Sequence, residues 1–336
     1  MAFLSNMTIQ INGSKAWNET VTTDLQESQG LKWISLIILL GIIFFNLLVV
    51  VLLISRNPKS RMRFFVTNLA IADFCVGVFF VLPETLFNWF DVPWNPYVCY
   101  IYYVYFSMVP FYMSTYAIVV LSIDRAYVIV RPLAAASKGK LYRYGMVLSA
   151  WVIGCILAIP YGVFGTYNEE DIYCTHDAPS LVFLYADLAT IIILPIVIIT
   201  VCYIVIIFTI RGRERNGFLR GKNNDTDNGC DTNVRNRSIS KAKIRTIKLL
   251  CVVVFAYIIC WAPITIAAVI THHGIAEYGL WFHILYLLAP VNSLANPLLF
   301  LIFNQKMFRS KKNKTKKKVF SGTTFKTETE TISLGS

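Results

Sequence analysis

The amino-acid sequence predicts an all-α membrane protein, a bundle of seven transmembrane helices with its N-terminus outside the cell. Three observations predict it: a composition suited to lipid, seven apolar runs of spanning length, and cationic loops gathered on one side.

Of the 336 residues, 56% are hydrophobic and only 15% are charged. A soluble domain carries about 25% charged residues, so the deficit points to lipid as the main solvent. A bilayer core about 30 Å thick takes about 20 apolar helical residues to cross. The stretches Trp33–Ser55, Phe64–Leu82, Cys99–Ile123, Tyr144–Phe164, Leu188–Ile210, Leu249–Ile270 and Leu280–Phe303 meet that length. Asp73 is the one charged residue within them, and Asp187 sits just before the fifth. Helices satisfy their own backbone groups in lipid. A β-barrel would need short alternating segments, which these are not.

All but Lys15 and Lys32 of the 31 lysines and arginines follow spans one, three, five or seven. The positive-inside rule therefore puts those stretches in the cytoplasm and the N-terminus outside. The glycosylation triplets at Asn6, Asn12 and Asn18 fall on that outer side. The chain divides into a glycosylated tail (1–31), a transmembrane domain (32–304) and a cytoplasmic tail (305–336). The first residues lack the basic end and apolar run of a cleavable leader, so the first span is expected to act as signal and anchor. The net charge of +12 is then topology plus attraction to anionic inner-leaflet lipid. Nucleic acid is not the expected partner, because the basic groups flank spans and do not form one face. The polar loop 211–240 reads as mobile. Asn304–Ser310, with Phe308 on one face, is expected to start a short amphipathic helix on the membrane.

Ionisable groups inside a membrane need a reason. Asp73 has polar residues at matching depth: Asn46, Ser114, Asn292, Ser293 and Asn296. The plain reading is a helix-to-helix hydrogen bond. The functional one is a site for a small monovalent cation, sodium; no other cofactor is expected. Asp124-Arg125 at the end of span three is a second pair, although snorkelling of a lone arginine would also explain it. Pro83, Pro110, Pro160, Pro195, Pro263 and Pro297 interrupt spans, and each removes a backbone bond. Trp261 stands beside the kink at Pro263.

These residues resemble the rhodopsin-like (class A) G-protein-coupled receptors over all seven spans. The match is carried by Asn46, Leu69-Ala-Ile-Ala-Asp73, Cys99, Asp124-Arg125, Trp151, Pro195, Tyr203, Cys260-Trp-Ala-Pro263 and Asn296-Pro297. Within that class, Ser240–Lys248, Ala256–Pro263 and Phe79–Pro83 are similar to vasopressin and oxytocin receptors. Ser114-Thr-Tyr and Leu121–Arg125 are similar to neuropeptide S and crustacean cardioactive peptide receptors. The resemblance implies a Cys99–Cys174 disulfide, G-protein engagement by Arg125, and a toggle at Trp261. It implies a sodium site at Asp73, Ser114, Asn292 and Ser293, and switches at Asp124, Tyr203, Pro263, Asn296 and Pro297. It implies an outward swing of span six, bringing Lys243, Arg245 and Lys248 to the G protein. Departures are Ala126 after Arg125 and Phe300 in place of the span-seven tyrosine, which deprives Tyr203 of a partner. Phe80, Tyr161 and Ala268 replace the polar pocket residues of the vasopressin group.

The outer loops are acidic and the upper spans aromatic, which suits a cationic ligand with aromatic side chains. Exclusion of acids from the inside and an interfacial aromatic belt would give the same composition. Glu84, Tyr103, Ser107, Asp187 and Trp261 are the candidate pocket residues. The function implied is a neuropeptide receptor, with a class A receptor for a small molecule or lipid as the alternative. Receptor kinases would phosphorylate Ser321, Thr323, Thr324, Thr327, Thr329, Thr331 and Ser333, and arrestin would read the added charge. An amine receptor is disfavoured because Phe106 and Ser107 stand where its aspartate would. A transporter or channel would show inverted repeats and more mid-span charge. No nucleophile–base pair or metal cluster suggests an enzyme.

This topology is testable on intact cells. A membrane-impermeant reagent should label the N-terminal tail but not a tag inserted near Arg235.

Overall fold

The computed structural model describes residues 16–55, 61–90, 96–98, 101, 105–168, 173–176, 181–222, 230–276 and 280–304. Among them, seven helices are long and apolar enough to cross a bilayer: Gln29–Ile54, Arg61–Leu86, Ser107–Val130, Lys140–Val163, Leu184–Arg213, Cys251–His272 and Trp281–Phe303. The third packs against the second, fourth and fifth, and the first and sixth both pack against the seventh. The third, packed on three sides, is thus the axis; its spanning window and that of the second are each 61% buried, against 22% for the fourth and 28% for the fifth.

Small residues and prolines shape this packing. A Cβ on Gly154 of span four would lie 3.0 Å from the backbone nitrogen of Met113, so spans three and four approach backbone to side chain. Pro83 and Pro195 each follow a wide π turn, at Gly77–Val81 and Leu188–Ile193. Proline clashes with the carbonyl four residues back. Widening the turn relieves this: Leu82 N–H donates to Gly77 and Leu194 N–H to Ala189, each five residues back. Pro110, Pro160, Pro263 and Pro297 lie inside helices. Span six ends at Gly274, whose φ of 66° suits glycine and whose N–H bonds Thr271.

The architecture agrees with the sequence reading, with three differences. Span three, expected over Cys99–Ile123, ends later, with its helix running to Val130; Ile101, Tyr105 and Phe106 ahead of Ser107 are already in wide helical turns. Its helix runs on through Asp124 because internal arginines neutralise that charge. The loop 211–240 is largely helical: the fifth helix continues to Lys222 and the sixth starts at Cys230. Its Arg, Glu and Lys residues are good helix formers outside lipid. Between spans four and five, strands β1 (Gly165–Asn168) and β2 (Tyr173–His176) form an antiparallel hairpin. The segment after Asn304 expected to lie on the membrane is outside the described residues.

Gly154→Ala should push spans three and four apart at a cost of about 1–3 kcal/mol, as overpacking does. The thermal midpoint of the receptor in detergent should drop, whereas Gly145→Ala, with open space at its Cβ, should leave it unchanged.

Candidate functional site

Three polar layers stack along the third helix. In the middle, Asp73 is fully buried. It accepts hydrogen bonds from Ser114 Oγ at 2.5 Å and Asn296 Nδ2 at 2.9 Å, and from Ser293. Asn46 Nδ2 ties span one to span seven by donating to Ser293 O at 3.0 Å. The amide oxygens of Asn46, Asn292 and Asn296 are buried with no hydrogen-bond partner. Unmatched acceptors around a buried carboxylate are costly unless something positive meets them. A cavity of about 30 Å³ runs from here toward Arg125, lined by Asn46, Asp73, Leu121, Asn296 and Phe300 among others.

Above it lies an aromatic floor. Trp261 is buried and meets Phe111 edge-on at 5.1 Å, and Phe111 meets Phe80 at 4.6 Å. Phe80 leads to Tyr286. On the far side of the indole stands Tyr257, exposed by only 1%. Its hydroxyl donates to Ile191 O. Ile191 is four residues before Pro195, so its carbonyl is the one that the proline leaves without a helical donor. Thr115 Oγ1 is 3.3 Å from the same hydroxyl, which joins spans three, five and six. The indole Nε1 of Trp261 has no partner.

Higher still, Tyr112 Oη donates to Asp187 at 2.6 Å, and Tyr161 also hydrogen-bonds this carboxylate. Asp187 is half-buried, and among the described residues no lysine or arginine is its partner. Glu84 is half-buried at the head of span two, within electrostatic range of His283 and Tyr286. Ser107 is buried at the start of the third helix, so a ligand reaches it only if neighbours move. Tyr103 lies outside the described residues, as do Cys99, Asn6 and Asn12. Cys174 is on β2 and Asn18 on the first helix, but their side chains are not among those described.

At the basic end, Asp124 is fully buried between two arginines. Arg61 Nε donates to Asp124 Oδ1 at 2.6 Å, and Arg61 NH1 donates to Ala135 O at 2.8 Å. Arg125 NH2 lies 3.0 Å from the other oxygen, without hydrogen-bond geometry, and its Nε is buried with no acceptor. The Tyr203 hydroxyl is buried without a hydrogen-bond partner, and Phe300 is buried on span seven. Pro263 and Pro297 sit within their helices, one turn or less from Trp261 and Asn296.

Sequence reasoning foresaw the Asp73 cluster but missed Arg61 as a partner, the Tyr257 bridge and the Tyr112–Asp187 bond. Arg61 was legible only as a topological charge. No signal in the sequence alone singled out Tyr257, whose carbonyl partner lies in another helix.

Comparison with known proteins places the chain in a family. The family model for the seven-transmembrane receptors of the rhodopsin family matches residues 45–300. The mesotocin receptor of Rhinella marina is 31% identical over 76% of this chain and 68% of its own. The oxytocin receptor of Ovis aries is 28% identical over 92% and 86%, and the neuropeptide S receptor of Homo sapiens 29% over 74% and 70%. Seven spans, a buried aspartate beneath an indole floor and a carboxylate–arginine pair at the basic end thus occur in a chain that belongs to the rhodopsin family of seven-transmembrane receptors.

Proposed function

We propose that this receptor binds a neuropeptide at the end of the bundle holding Asp187, and on agonist binding activates a heterotrimeric G protein at the end holding Arg125. As a member of its family it is a multi-pass plasma-membrane receptor and not an enzyme. The names of its relatives, receptors for mesotocin, oxytocin and neuropeptide S, support the peptide class. The observation that carries the site is Asp187, a half-buried carboxylate held by two tyrosines with no cationic partner among the described residues. A ligand guanidinium or ammonium would complete it, by charge-assisted hydrogen bonds of the stronger kind. Glu84 at the head of span two would offer a second acid, with Ser107 at the head of the third helix and Trp261 beneath; Tyr103 is a further candidate from the sequence. Agonist would favour the open arrangement by its differential affinity for it. Span six, bent at Pro263, would move, and Arg125 and Tyr203 would meet the G protein. Receptor kinases and arrestin are further proposed partners, supported by the hydroxyl-rich tail alone.

A sodium ion fits the middle layer. Asp73 with Ser114, Asn292 and Ser293 would hold it, and the unmatched amide oxygens of Asn292, Asn46 and Asn296 supply the hard oxygen donors such an ion takes. The ion would supply charge compensation for Asp73.

Expressed receptor screened with neuropeptides, reading calcium and cyclic AMP, should respond to a basic peptide, and Arg125→Ala should silence it. A clean response to a lipid or an amine, with none to any peptide, would overturn the peptide assignment. Asp187→Asn should weaken that peptide about 10- to 100-fold, the worth of a hydrogen bond to a charged group, and spare analogues lacking the basic group. Purified receptor without ligand should melt higher in sodium chloride than in potassium chloride. The difference should vanish in Asp73→Asn; a persisting difference would remove the ion from this site.

A further inference from the structure

Arg61 holds Asp124 better than Arg125 does. Its Nε makes a hydrogen bond of 2.6 Å to Oδ1, while Arg125 reaches Oδ2 at 3.0 Å without hydrogen-bond geometry. Arg61 is also anchored twice more: NH1 donates to Ala135 O in the loop between spans three and four, and the guanidinium lies 5.5 Å from the Tyr142 ring centroid of span four. Such stacking over an aromatic ring adds a further attraction. Each guanidinium leaves one nitrogen or more unmatched, but Arg125 makes no hydrogen bond to Asp124 and lines the cavity, whereas Arg61 makes two hydrogen bonds through its other nitrogens. Two guanidiniums share one carboxylate, and the one that signals is the one loosely held.

We propose that Arg61 is a positioning residue for the switch: it is the standing counterion of Asp124, so that Arg125 can leave without stranding a buried charge. Asp124 has no solvent exposure. Removing the sole partner of a buried carboxylate is strongly destabilising, because the charge left behind has neither water nor a cation. With Arg61 in place, that penalty does not arise when Arg125 turns to the G protein. Without it, the Asp124–Arg125 pair becomes exclusive and the resting arrangement is favoured. Arg61 therefore raises the population of the active form while touching neither ligand nor, in this arrangement, the G protein. The proposal rests on the assignment of Arg125 to G-protein engagement.

The experiment measures nucleotide exchange without ligand on purified heterotrimers of each Gα class, using full-length receptor in membranes normalised to surface amount. Asp124→Asn, which removes the charge that holds Arg125, should raise exchange. Arg61→Gln should lower it about tenfold, within the usual range of coupling between sites. Arg61→Lys keeps the charge but not the forked geometry, so it should lower exchange only about threefold. Combined with Asp124→Asn, both Arg61 substitutions should lose their effect, and the doubles should match Asp124→Asn alone. Equal losses from Gln and Lys, or losses of the same size in the Asp124→Asn background, would make Arg61 a mere structural staple and overturn the proposal. If Asp124→Asn itself leaves exchange unchanged, the switch assignment fails instead. Should Arg61→Gln not reach the surface, Arg61→Lys with and without Asp124→Asn decides the question by the same criterion.

Discussion

Lipid offers no hydrogen bonds, so every polar group in the bundle must find its partner inside the protein. That constraint explains the side-chain hydrogen bonds between spans. Asn46 reaches a carbonyl of span seven, Trp151 Nε1 donates to Asn68 at 2.9 Å, and Ser35 pairs with Thr85 at 2.7 Å. Each bond forms without competition from water and fixes the rotation of two helices. The prolines extend the same logic to the backbone. Where Pro195 withdraws a donor, the chain widens its turn and a tyrosine from span six supplies a hydroxyl.

The third helix carries the consequences from one end of the molecule to the other. Along one element stand Tyr112 against Asp187, Thr115 against Tyr257, Ser114 against Asp73, and Asp124 between its arginines. A shift of span five or six therefore acts on bonds that the third helix shares with every other layer. The aromatic run from Tyr286 through Phe80 and Phe111 to Trp261 is in continuous ring contact, so movement of one ring displaces the next. The arrangement gives a run of packed rings and shared hydrogen bonds between the two ends.

The seven spans were legible because an uncharged apolar run of that length suits a bilayer and little else. The central layer was legible for the same reason: Asn46, Asp73, Ser114 and Asn296 are conspicuous inside hydrocarbon. Residues at span ends were not. Arg61 reads as one more cation on the inner side, and only the folded packing shows it bonded to Asp124 while Arg125 is left loose. Span three was ended too early because charge at Asp124 reads as an end when its neutralising partner Arg61 lies far off in sequence. Tyr257 was hidden among the aromatic residues of an apolar span. Its importance depends on a carbonyl in another helix.

The wide turn at Leu188–Ile193 has an effect on aim. A residue in an α-helix is set about 100° around the axis from its neighbour. The extra residue taken into that turn rotates everything above it relative to everything below. Asp187 stands just above and Pro195 just below. The insertion thus sets the compass bearing of the acid independently of the anchored lower half of span five. Deleting one residue from the turn would rotate the carboxylate by about 100° around the helix axis, away from Tyr112, while leaving the lower helix seated.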